Sequence, residues 1–109
     1  MSAAPVVEEP EVALTKWAII RAADSGHYHF IGMKSSGIGR FSTRIIAFSL
    51  STMTGRTQSG RIYRLQGDPD YENTRLRDCV ARRWDLNRED VQVVSPTEAA
   101  LAMSVFGHA

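Results

Sequence analysis

The chain has 109 residues, 43% hydrophobic and 23% charged, which is the size of one domain and the balance of a globular rather than a disordered protein. Its single cysteine, Cys79, excludes an intramolecular disulfide, and no run reaches the roughly 18 apolar residues of a membrane span. A cytoplasmic location is therefore expected. The net charge of +1 hides an uneven distribution, taken up below.

Met1 to Ala13 holds Pro5, Pro10, Glu8, Glu9 and Glu11. It has neither the cationic start nor the apolar stretch of a signal peptide, and reads as a disordered acidic leader to a single domain spanning 14–109. Leu14 to Ala22 carries Trp17, Ile19 and Ile20, and this aromatic and β-branched content favours a first strand. Asp24-Ser25-Gly26 is a turn signal. His27 to Met33 alternates, with His27, His29 and Ile31 on one face and Tyr28 and Phe30 on the other, so a hairpin with the first strand is expected.

Lys34 to Gly39 is a small-residue loop. Arg40 to Leu50 reads as one long strand whose apolar face switches near Ile45-Ile46, where a bulge or bend would curve the sheet. Arg56 to Gln66 is a strand interrupted at Ser59-Gly60 by a bulge or a tight turn.

Asp68-Pro69 has the form of a helix N-terminus, and Leu76, Val80 and Trp84 recur at helical spacing as far as Asn87. Val91 to Val94 fits a short extra strand. Ser95-Pro96-Thr97-Glu98 is a capping box with proline at the first helical position, so a closing helix is expected up to Gly107. Strands first and helices afterwards gives an α+β fold: an antiparallel sheet of about four or five strands, open or curved into a barrel, in 14–67, then two helices in 68–109.

Residues 25–67 contain no acid and six bases, Lys34, Arg40, Arg44, Arg56, Arg61 and Arg64, leaving the rest of the chain at −5. Arginine offers a planar donor fork that suits carboxylate and phosphate. Arg40 and Arg44 fall on one strand face with Ser42 between them; Arg61 and Tyr63 share another, with Arg64 opposite. These arginines, with Tyr63 and Tyr28, are the candidate binding residues. In a nucleic-acid reading Tyr28, Phe30 and Tyr63 would stack on bases. The blander alternatives are a solvated sheet face and arginines matched internally to the acids of the first helix.

The remaining chemistry is sparse. His27 and His29 point the same way but lack a third metal ligand, and Cys79 fits an apolar helix stripe. The acids Asp68, Asp70 and Glu72 suit a helix N-terminus. Ser35 to Arg40 matches neither a P-loop nor a dinucleotide fingerprint and serves as a hairpin connection. No catalytic residue, metal or cofactor is assigned, and an enzyme is not expected.

Thr57, Ser59-Gly60-Arg61, Tyr63, Leu65, Gly67 and Pro69 form a pattern that resembles a segment of small uncharacterised bacterial proteins, often from mobile or accessory DNA. The resemblance covers about a tenth of the chain. It implies a bacterial or phage-related origin and no particular activity. The expected function is a non-enzymatic regulatory module that meets a protein partner through its arginine face, such as a phage or mobile-element inhibitor. The alternative is a small nucleic-acid-binding β-barrel. Monomer and homodimer both remain open.

Overall fold

The computed structural model describes residues 9–70, 82 and 90–107. Seven strands, β1 (Glu11–Ala22), β2 (Tyr28–Met33), β3 (Gly39–Phe41), β4 (Ile45–Ser49), β5 (Thr54–Thr57), β6 (Ile62–Leu65) and β7 (Val91–Val94), are followed by one helix, α1 (Pro96–Gly107). They form a single mixed sheet in the order β3-β2-β1-β6-β5-β4, with β7 added beside β1.

β1 organises this sheet. Glu11 to Leu14 pairs in parallel with Ile62 to Leu65 of β6, while Ala18 to Arg21 pairs with β2, and Ile19 to Ala22 with β7, both antiparallel. Between these halves the β1–β2 register slips between Thr15 and Ala18, and Lys16 has a φ of 46° there. A left-handed residue within a strand is the mark of a bulge. It lets one strand serve two half-sheets, β3-β2-β1-β7 and β1-β6-β5-β4.

The second half of β1 is flanked on both edges and covered on both faces. Ile19 joins the main core with Leu14, Trp17, Phe30 and Tyr63, while Ala18 and Ile20 join Ile31 and Val91 in a smaller cluster. That accounts for an apolar run rather than an alternation at Trp17 to Ile20. Trp17 also donates from Nε1 to the Gly67 carbonyl at 3.2 Å, fixing the chain beyond β6.

Several expectations hold. The β1–β2 hairpin forms at the expected turn. Ser59-Gly60 is a tight turn between β5 and β6, with Gly60 at φ +92°. The bulge at Ile45-Ile46 appears as a register slip between Ile45 and Ala47 against β5. Val91 to Val94 is a strand. Ser95 caps α1, its Oγ accepting the Glu98 N–H at 3.1 Å.

The overall α+β arrangement does not hold. The protein is mostly β, its sheet is mixed rather than antiparallel, and it is not closed into a barrel. The strands are not confined to 14–67, because β7 returns from the C-terminal part to the middle of the sheet. One helix, α1, has its range among the described residues; the expected helix with Leu76, Cys79, Val80 and Trp84 lies outside them except for Arg82, which is helical. The single long strand at 40–50 is two: β3 and β4 belong to opposite half-sheets, and Ser42 to Arg44 crosses between them. β1 starts at Glu11, with Val12 buried, so the last residues of the expected leader belong to the sheet. The error has one source: alternation identifies strands, but the parallel partner of β1 is set by contacts some 50 residues apart. No described helix is long and apolar enough to cross a membrane.

Candidate functional site

The crossing from β3 to β4 opens a cleft of about 530 Å³ between the half-sheets. Its lining includes Arg40, Arg44, Arg61, Tyr63, His27 and His29, and Asp24 is the one acid among its described lining residues. Hydroxyls from Ser42, Thr43 and Ser59 complete it.

Ser42 sets the floor. It is buried, accepts the Phe30 N–H at 2.9 Å and donates to the Thr43 carbonyl at 2.6 Å. Its own carbonyl lies 3.0 Å from Nδ1 of His29, so that nitrogen carries the proton, since a carbonyl can only accept. Burial is the largest influence on His29 and pushes its imidazole below the ordinary histidine value. A neutral ring hydrogen-bonded to the loop holds the crossing in place.

Arg40 and Arg61 are held by Glu9. The Glu9 carboxylate receives Arg40 Nη2 at 2.7 Å and Lys34 Nζ at 2.7 Å, and its main-chain carbonyl receives Arg61 Nε at 2.9 Å. Hydrogen bonds from Lys34 and Arg40 bring the Glu9 carboxyl down to about 2. Burial disfavours charge on Arg40, but hydrogen bonding with Tyr63 (Nη1 to Oη, 3.3 Å) and Glu9 outweighs it and raises the guanidinium above its ordinary value.

Arg44 is placed differently. Its Nη1 lies 3.3 Å from Nε2 of His27, and its Nε is buried with no hydrogen-bond partner. A buried donor left unpaired is uncommon and costs on the order of 1–3 kcal/mol.

The seven candidate residues therefore divide. Arg40, Arg44, Arg61 and Tyr63 come together in the cleft. Arg56 on β5 and Arg64 on β6 are exposed, and Arg64 pairs with Glu11 at 3.0 Å, which lowers the Glu11 carboxyl and raises the guanidinium. Tyr28 is half-buried beside α1, its Oη 3.5 Å from Glu98. The five candidate arginines do not share one face. The internal match to acids is partly real, though Lys34, Arg40 and Arg64 use Glu9 and Glu11 rather than helix acids. Phe30 and Tyr63 are in the core at 0% and 1% exposure, which removes two of the three rings expected to stack on bases.

Sequence reading missed Glu9, Ser42 and the part His27 and His29 take in the cleft. Glu9 had a signal: Glu11, Val12, Ala13 and Leu14 already alternate, so the strand starts before Leu14. The joining of β3, β4 and β6 around one cleft has no local signal. Among the described residues no group of three or more histidine, cysteine or acidic side chains could hold a metal. No family model, curated protein or solved structure matches the chain.

Proposed function

We propose that the protein is a non-enzymatic interaction module whose cleft docks an acidic segment of a partner protein, regulating or inhibiting that partner in the manner of a phage or mobile-element factor. The observation that carries this is the concentration of three arginines and two histidines on one cleft with Asp24 as the described acid. Arg40 and Arg61 are engaged by Glu9 and supply a fixed positive wall. Arg44 supplies the donors that an incoming carboxylate takes. Burial of Phe30 and Tyr63 favours a protein segment over single-stranded nucleic acid, whose binding relies on accessible rings.

The test is fluorescence anisotropy with labelled acidic peptides and labelled oligonucleotides, on the wild type and on Arg44→Glu and Arg56→Glu. Peptide binding lost in Arg44→Glu and kept in Arg56→Glu supports the proposal. Preference for oligonucleotides, with a steep log-linear loss on adding salt, supports the nucleic-acid alternative instead.

A further inference from the structure

The Arg44–His27 contact constrains the protonation of both groups. A guanidinium has N–H donors and no lone pair to offer. At 3.3 Å from Arg44 Nη1, the Nε2 of His27 is therefore the acceptor, and the imidazole in this arrangement is neutral. A protonated His27 carries donors on both nitrogens, so the contact becomes donor against donor and cation against cation. It is relieved by separation, or by an anion that accepts from both.

The groups around His27 decide which. The charged groups that share its cleft are Asp24 on the β1–β2 turn, Arg40 on β3, Arg44 on the crossing loop and Arg61 before β6. Tyr63 and His29 face the cleft as well; Tyr63 is tied to Arg40, and His29 is held through Nδ1 by Ser42. On its other side His27 borders a groove with Ala102 and Met103 of α1, which carry no charge. An oxyanion that accepts from both Arg44 and His27 needs the His27 nitrogen as a donor, so its binding and the uptake of a proton favour each other. The buried, unpartnered Nε of Arg44 shows that the side chain has donor capacity unused in its present position. Rotating towards an anion recovers it as a two-pronged contact.

We propose that Arg44 and His27 form a proton-coupled oxyanion site: protonation of His27 breaks its contact with Arg44, and a carboxylate or like oxyanion bridges the two. The proposal rests on the cleft being the binding surface and names the chemistry of what enters it.

Titration calorimetry on the full chain tests this with two probes, sulfate and a hexa-aspartate peptide, at pH 8, 6.5 and 5.5 in buffers of different ionisation enthalpy. Sulfate keeps its charge across that range, so a change in its affinity reports the protein. Affinity is expected to rise about tenfold from pH 8 to 5.5, the size of one added charge-assisted hydrogen bond, with net proton uptake. His27→Gln is expected to bind at the weak pH 8 level throughout and take up no proton. Binding that is independent of pH, or the same pH dependence in His27→Gln, overturns the proposal and leaves the cleft as the docking surface. Sulfate binding without peptide binding upholds the oxyanion site and overturns the docking of an acidic segment. No binding of either probe at any pH, with the fold intact, overturns both.

Discussion

Arg40 and Glu9 meet at 2.7 Å, and this contact ties the segment before β1 to β3 on the far half-sheet. The same carboxylate holds Lys34, and the same residue's carbonyl holds Arg61. One acid thus organises three of the six cations between residues 25 and 67. Its removal is structural in effect: Glu9→Gln should lower stability by about 1 kcal/mol at neutral pH, within the range for a partly exposed network. Urea denaturation at pH 7 measures this.

Acid should act on the fold in two stages. The His29 ring is held neutral by burial, so the unfolded chain takes up its proton first, and stability falls as pH drops through the ordinary histidine range near 6.5. The Glu9 carboxyl is depressed from 4.5 to about 2, so its contribution is full above 4.5 and is lost as pH falls from there towards 2. Midpoints measured across pH should show His29→Gln flattening the upper stage. The gap between wild type and Glu9→Gln should close in the lower one.

Gly55 on β5 faces the edge of the Phe30 ring. A Cβ at Gly55 would stand 2.4 Å from Phe30 Cζ and 2.8 Å from Cε2, with the Ala47 carbonyl behind at 3.1 Å. Gly55→Ala should therefore cost about 2 kcal/mol through overpacking. In a Phe30→Leu background the same change should cost clearly less, because the clashing ring edge is gone. A double-mutant cycle reads this coupling; equal costs in both backgrounds would exclude the steric explanation.

Ser42→Ala removes the acceptor of the Phe30 N–H in a buried place. The expected loss is about 1–3 kcal/mol. The crossing loop that bears Arg44 should loosen with it, seen as faster amide exchange at Phe30.

The five candidate arginines should separate by phenotype. Arg40→Ala and Arg61→Ala should lose stability, Arg61 by about 2 kcal/mol, since its side chain is 6% exposed and holds the Glu9 carbonyl. Arg44→Ala should keep or slightly raise the midpoint, because it removes a buried unpaired donor, and should lose binding of acidic peptides. Arg56→Ala and Arg64→Ala should leave both near the wild-type level. Thermal melts and anisotropy on the five variants check this together.

The sequence made local features readable and left the long-range ones hidden. The alternation in His27 to Met33, the Asp24–Gly26 and Ser59-Gly60 turns, the face switch at Ile45-Ile46 and the Ser95 cap are each set within a few residues. The pairing of Glu11–Leu14 with Ile62–Leu65 is not, and neither is the return of Val91–Val94 to β1. For the site, the charge count singled out the arginines of 25–67, but not that Arg40, Arg44 and Arg61 line one cleft while Arg56 and Arg64 do not. Arg61 and Tyr63 were rightly placed on one face. That face is the core side, where the Tyr63 ring packs tilted against Phe30 at 5.5 Å and Arg61 is held by Glu9. A polar residue that is buried because a distant main-chain carbonyl receives it cannot be distinguished from a solvated one by periodicity alone.

The most direct measurement is a titration of the ¹⁵N-labelled protein with an acidic peptide, following backbone amides and the Arg44 Nε–H. The expected result is saturable shifts confined to His27, Ser42 to Arg44 and Gln58 to Ser59, with the Arg44 Nε–H moving downfield as it gains an acceptor. Shifts centred on Arg56 and Arg64, with Arg44 unmoved, would place any acidic partner on the exposed face of β5 and β6 and contradict the cleft as the site of function.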